Sequence, residues 1–197
     1  MSRFSIALFC IALLAASGVA TAANPQVELD TSAGKIVLEL YPDAAPKTVA
    51  NFLEYVKAKT YDGTQFHRVI PGFMIQGGGY TDDYSQRPTR APIAIESEQS
   101  KKAGLSNVPG SVAMARTGEP NSATNQFFIN IADNKRLDFR SADVAGYGYT
   151  VFGKVVSGMD VVDKIAKTPT GPGGQFPTDV PKEHVIIKTA KIVEAAK

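Results

Sequence analysis

The chain has no tryptophan, a single cysteine and two histidines, and each shortage removes a class of chemistry. The one thiol, Cys10, lies in an N-terminal segment that reads as a removable leader, so the remaining chain carries none. A disulfide framework and a thiolate zinc site are thereby excluded, and a domain of this size does not need a disulfide. His67 and His184 both fall in strand-like sequence, where histidine packs or hydrogen-bonds more often than it catalyses. Composition leaves a Ser-His-Asp triad open, but no G-x-S-x-G elbow is present. No H-E-x-x-H and no paired Asp/Glu metal spacing occurs, so neither a metal nor another cofactor is expected. An excess of one charge is missing as well, with 21 Lys and Arg facing 19 Asp and Glu. No basic block stands out, and the electrostatic footprint of a nucleic-acid binder is absent.

Among the features present, the leader comes first. Met1-Ser2-Arg3 gives a basic start, residues 4–16 are almost wholly apolar, and small residues run on to Ala20-Thr21-Ala22-Ala23. This is the n-region, h-region and A-x-A pattern of a secretory signal peptide. Residues 1–23 are expected to be cleaved and residues 24–197 to form one domain. The apolar run falls short of the roughly 20 residues of a spanning helix. A retained anchor is the weaker alternative, and no membrane partner is expected after cleavage. Cys10 lies inside the apolar run, the wrong place for a lipidated cysteine. Forty-four per cent apolar and 20% charged residues describe an ordinary globular domain with a real core.

Residues 27–30 and 35–40 alternate apolar and polar side chains imperfectly around Thr31-Ser32-Ala33-Gly34, the pattern of a β-hairpin. Ala45-Pro46 opens a helix, in which Val49, Phe52, Leu53 and Val56 form one apolar stripe. It should end near Lys59, before the turn signal Tyr61-Asp62-Gly63. Further strands are expected at 65–70, 73–76, 111–116, 126–131, 151–156 and 185–193, and a second helix at 159–167. Short strands with few helices favour a closed antiparallel barrel, because closure removes exposed edges; periodicity leaves a sandwich open. Long polar, Gly- and Pro-containing connections span 77–94, 97–110, 133–148 and 168–181, and loops of this length are often functional. Gly77-Gly78-Gly79 and Gly171-Pro172-Gly173-Gly174 lack the contexts of nucleotide-binding loops and read as flexible backbone.

The segment Phe66-His67-Arg68-Val69-Ile70-Pro71-Gly72-Phe73-Met74-Ile75-Gln76 sets polar side chains beside large apolar ones. Strand alternation puts Phe66 with Arg68 on one face, His67 with Val69 on the other, and Met74 with Gln76. Met114-Ala115-Arg116-Thr117 leads through a loop to Asn125-Gln126-Phe127-Phe128-Ile129. Phe127 and Phe128 must face opposite ways, so one can be core while the other lines a pocket. Taken alone, these aromatics fit a core and Arg68 fits an ordinary paired or exposed arginine.

F-H-R-V-I-P-G-F-M-I-Q-G-G, then M-A-R-T, N-Q-F-F-I-N and V-F-G-K-V-V-x-G-M-D-V-V, together resemble the cyclophilin family of peptidyl-prolyl isomerases. The likeness spans residues 27–193, and the M-A-R-T wording with the leader is most similar to the bacterial periplasmic branch. It implies a mainly β fold, a closed eight-stranded antiparallel barrel capped by two α-helices. It implies catalytic roles for Arg68 and Gln76, an apolar wall of Phe73, Met74, Phe128 and Leu137, and a groove along Ala115, Arg116 and Gln126. Arg116 stands where many members carry asparagine, and Tyr149 where many carry a histidine of the pocket wall. Arg136 fills the position that is tryptophan in the members most sensitive to cyclosporin, so weak cyclosporin binding is expected. The implied partners are proline-containing unfolded or partly folded polypeptides, met by a monomer in the periplasm, with secretion as the alternative. A rival reading is a binding module that grips such segments without turnover, although a pure binder has no use for the arginine.

Overall fold

The alternation at the start of the domain closes a hairpin. Gln26–Thr31 (β1) pairs antiparallel with Gly34–Leu40 (β2), burying Val27, Leu29, Ile36, Leu38 and Leu40 on one side. Thr31 locks the turn, its hydroxyl donating to the Gly34 carbonyl at 2.6 Å and accepting from the Ala33 and Gly34 amides. The computed structural model describes residues 23–194; residues 1–22 of the expected leader lie outside them.

Helix α1, Pro46–Lys57, packs Val49, Phe52, Tyr55 and Val56 into the core. Its residue before the first turn, Ala45, offers no side-chain cap. The cap comes from far along the chain. Buried Glu96 accepts from the Lys47 amide at 3.0 Å, the Thr48 amide at 2.8 Å and the Thr48 hydroxyl at 2.7 Å. A carboxylate there satisfies orphan donors and meets the positive end of the helix dipole.

The remaining strands are Thr64–Gln65 (β3), Arg68–Ile70 (β4), Met74–Gly77 (β5), Ser111–Met114 (β6), Phe127–Asn130 (β7), Val151–Ser157 (β8), Thr170–Gly173 (β9), Phe176–Pro181 (β10) and Ile186–Val193 (β11). Nine of the strands form one curled sheet in the order β3-β11-β1-β2-β8-β6-β7-β5-β4, and β9 pairs with β10 apart from it. Among the described residues the expected eight strands and two helices become nine strands in the main sheet and three α-helices, the others being Ser97–Lys102 (α2) and Met159–Ala166 (α3). A 3-10 turn, Lys135–Leu137, follows β7. Helix α2 escapes the periodicity test because Ser-Glu-Gln-Ser-Lys-Lys has no apolar stripe; the Ser100 hydroxyl ties it to the Val151 carbonyl at 2.6 Å.

The strand expected at 65–70 breaks at Phe66-His67, between β3 and β4. This slip corrects the predicted faces. Phe66 and Val69 both enter the core, while His67 and Arg68 both border the same cavity. The core centres on Phe52, whose ring lies 5.4 Å edge-on from Phe127 and 5.2 Å from Phe152, with Phe66 6.1 Å beyond Phe127. Gly77-Gly78-Gly79 is packed backbone rather than a loose loop. Gly78 has φ +88°, and a Cβ on Gly79 would fall 2.7 Å from the Gln126 side chain.

Candidate active site

The site is assembled on the β4–β5 hairpin. Gly72, at φ +70°, makes the turn that a side chain would strain. Pairing sets Arg68 opposite Gln76 and Ile70 opposite Met74. The next ladder sets Gln76 opposite Phe128 and Gly77 opposite Phe127. Phe127 points into the central core, and Phe128 joins Met74, Ala113 and Val151 in a smaller cluster on the other side of the sheet. The doublet divides between core and pocket as the alternation requires.

A polar chain runs across this surface. Arg68 Nη1 reaches Gln76 Oε1 at 3.5 Å, and Gln76 Nε2 donates to Gln126 Oε1 at 2.9 Å. Arg68 Nε also lies 3.8 Å from Asp179 Oδ2. Arg116 donates from Nε to the Gly148 carbonyl at 2.8 Å and from Nη1 to the Thr117 carbonyl at 2.9 Å. Its guanidinium stacks 4.9 Å from the centre of the Tyr149 ring, which in turn meets Phe128 edge-on at 5.5 Å.

Leu137 is delivered by the 3-10 turn, and a buried polar network holds that turn in place. Asn134 Nδ2 donates to the Phe73 carbonyl and to Asn130 Oδ1, each at 2.8 Å. Asp138 is buried and accepts from Lys101, Ser106 and both the amide and side chain of Asn107. Burial opposes its ionisation, but these donors outweigh burial and hold the carboxyl below the usual range. Leu137 then accepts at its carbonyl from the Tyr149 amide at 2.9 Å, joining two walls of the pocket.

The ten residues expected in catalytic or substrate-binding roles all border one open cavity of about 260 Å³: Arg68, Phe73, Met74, Gln76, Ala115, Arg116, Gln126, Phe128, Leu137 and Tyr149. His67, Tyr80 and Phe176 complete the lining and were not anticipated. Phe176 is the instructive omission. It lies in the Gly- and Pro-rich stretch expected to be loop, and a lone large aromatic there was the available signal. Arg136 stays outside the lining but stacks 4.9 Å from the Phe73 ring.

Among the described lining residues there is no carboxylate. His67 is buried against Tyr80 and Phe176, and its Nδ1 has no hydrogen-bond partner among the described residues. Desolvation, helped by the charge of Arg68, lowers its pKa to about 4, so it is neutral at pH 7. The cavity thus offers hydrogen-bond donors, fixed positive charge and apolar surface. Among the described residues, no group of three or more His, Cys, Asp or Glu is placed to hold a metal ion.

The family model for cyclophilin type peptidyl-prolyl cis-trans isomerases matches residues 26–192. The chain belongs to that family. It is 54% identical over 167 residues to peptidyl-prolyl cis-trans isomerase cyp18 of Streptomyces antibioticus, covering 85% of this chain and 98% of that protein. Isomerase B of Escherichia coli K12 is 49% identical, over 85% of this chain and 99% of its own. Isomerase A of Dickeya dadantii is 47% identical, over 89% and 88%. Among solved structures, a cyclophilin-type isomerase of Cryptosporidium parvum superposes with a TM-score of 0.68 at 25% identity, covering 88% of this chain and 99% of that one. The same Cryptosporidium protein, solved in the presence of the dipeptide ala-pro, gives a TM-score of 0.67. The activity of the present chain is accordingly that of a peptidyl-prolyl cis-trans isomerase.

Proposed function

We propose that the cavity receives the proline of an exported, incompletely folded polypeptide and that Arg68 stabilises the twisted amide, with no covalent intermediate. The observation that carries this reading is the placement of the Arg68 guanidinium beside an apolar wall formed by Phe73, Met74, Phe128 and Leu137. The ala-pro dipeptide used with the Cryptosporidium relative agrees with a proline occupant.

Rotation about a peptide bond is slow because resonance gives C–N double-bond character, with a barrier of about 18–20 kcal/mol. Twisting the bond decouples the nitrogen lone pair from the carbonyl. A donor aimed at that nitrogen binds the twisted state better than either planar isomer, and only such differential binding accelerates the step. Arginine suits the task, being permanently charged with several donors in a fixed fork. Neither proton transfer nor a nucleophile is required, which fits a lining without carboxylates.

Magnitude assigns the rest of the work. An acceleration of about 10⁵ needs about 7 kcal/mol, whereas one charge-assisted hydrogen bond contributes roughly 1.5–3 kcal/mol. The apolar wall lowers the dielectric around Arg68 and fixes the proline ring. Gln76, Gln126, Ala115 and Arg116 border the neighbouring groove and grip flanking backbone while the carbonyl side turns.

The curled sheet is taken as the family's closed barrel, its end strands β3 and β4 joined through Phe66-His67. The Phe66 amide donating to the Val185 carbonyl, and the Gln65 amide to the Tyr80 carbonyl, support closure there. Residues 1–23 are read as a cleaved leader that carries the enzyme to the periplasm, where it acts as a monomer on folding chains. The basic start, apolar run and A-x-A ending support export.

A protease-coupled assay on a proline tetrapeptide tests the mechanism. Arg68→Ala is expected to lower kcat/KM by about 10- to 150-fold, the loss of one charge-assisted hydrogen bond, with an unchanged circular dichroism spectrum. A folded, fully active variant would refute it.

A further inference from the structure

The β9–β10 hairpin approaches the catalytic arginine, and its sequence gave no hint that it would. Phe176 anchors it, with its ring 5.3 Å from His67 and 5.0 Å edge-on from Tyr80. The β9–β10 register slips between Phe176 and Val180, so the residues between them leave the regular ladder. Within that irregular stretch Asp179 adopts φ +67°, one of few described non-glycine residues in the left-handed region. Aspartate tolerates this conformation better than most side chains, but it still carries strain, and such strain concentrates at functional sites. Its outcome here is specific: the Asp179 carboxylate lies 3.8 Å from Arg68 Nε.

Arg68 is therefore held on two edges. Asp179 flanks Nε, Gln76 Oε1 faces Nη1, and Nη2 makes no hydrogen bond among the described residues. A long, partly exposed arginine would otherwise sample many rotamers, most of them aimed away from the cavity. We propose that Asp179 is a positioning residue for Arg68: its carboxylate, presented by a strained bulge of the β9–β10 hairpin, orients the guanidinium fork so that one donor remains free for the substrate amide. The inference rests on the reading that Arg68 acts on that amide. Asp179 itself lies outside the cavity lining and touches the reaction only through Arg68.

The pair is partly exposed, and exposed ion pairs are weak, so the effect is modest and must be read by its pattern. Asp179→Asn removes the charge while retaining a residue that tolerates the left-handed backbone; Asp179→Gly keeps the backbone and removes the side chain. Both are expected to lower kcat about two- to fivefold with KM unchanged, while the thermal midpoint of Asp179→Asn stays at the parent value. In an Arg68→Ala background, Asp179→Asn is expected to change the residual rate by less than the assay error. An unchanged or raised kcat in both single variants, or the same fold-loss with and without Arg68, overturns the inference. A loss confined to KM overturns it too, since that would mark a substrate contact. Full activity of Arg68→Ala would instead sink the underlying mechanism, so the two failures are distinguishable.

Discussion

Arg68 and Gln76 are cross-strand partners in the β4–β5 hairpin, and the Gln76 side chain links the arginine to Gln126, which also lines the cavity. Gln76 spends its Nε2 donor on Gln126 at 2.9 Å and keeps Oε1 towards Arg68 at 3.5 Å, so one amide serves both neighbours in a single orientation. Gln76→Leu preserves size and removes both contacts. It is expected to lower kcat/KM by about 5- to 30-fold, the cost of roughly 1–2 kcal/mol of hydrogen bonding. Steady-state kinetics on a proline peptide checks this, and Gln76→Glu should not restore the wild-type arrangement, because a carboxylate cannot donate to Gln126.

Arg136 stacks on Phe73 from outside the cavity lining, where an indole would extend the apolar surface. The wild-type enzyme is expected to resist cyclosporin at submicromolar concentration. Arg136→Trp should strengthen inhibition about tenfold or more, the order of an added aromatic contact of about 1.5 kcal/mol, with little change in peptide turnover. Submicromolar inhibition of the wild type in a dose-response assay would contradict the assignment.

Glu96 supplies from a distance the cap that Ala45 cannot give α1. Glu96→Ala leaves the Lys47 and Thr48 amides without their carboxylate acceptor and should cost about 2 kcal/mol. For a chain of this length, that lowers the thermal midpoint by about 4–8 °C. Scanning calorimetry would show it, with Glu98→Ala, which loses only an exposed pair with Lys102, as a control of much smaller effect.

His67 makes stability depend on acid. Its folded pKa is lowered from 6.5 to about 4, so the unfolded chain binds a proton that the folded one refuses throughout that interval. The stability associated with the neutral ring is fully present above pH 6.5 and is lost as pH falls through the window to about 4. The loss reaches about 3 kcal/mol at its end. His67→Gln should flatten this part of the stability curve, as measured by urea midpoints between pH 7 and pH 4. The Asp138 carboxyl, held below the usual range, acts lower still: its contribution persists above the ordinary value of 3.8 and disappears only as pH drops through the depressed folded value.

The local patterns were legible in the sequence because they depend on near neighbours. The β1–β2 hairpin follows from alternation around Thr31-Ser32-Ala33-Gly34, and α1 follows from Pro46 and the stripe at Val49, Phe52 and Val56. The division of Phe127 from Phe128 follows from the two-residue period of a strand. The family resemblance then grouped Arg68, Gln76, Phe73, Met74, Phe128 and Leu137, and the fold brings them to one cavity.

What only the tertiary structure decided depends on contacts between distant segments or on breaks in period. The interruption at Phe66-His67 turned His67 towards the cavity, contrary to simple alternation. The β9–β10 strands were hidden because Pro172, Pro177 and Pro181 remove backbone donors and glycines lower strand propensity, features that an isolated, irregular pair tolerates and a central strand does not. Glu96 beneath α1 and Asp179 beside Arg68 lie 48 and 111 positions from the groups they meet, Thr48 and Arg68. Periodicity reads which face a residue occupies. It carries no information about which distant face will be folded against it, and in this enzyme that is where the arginine acquires its second anchor.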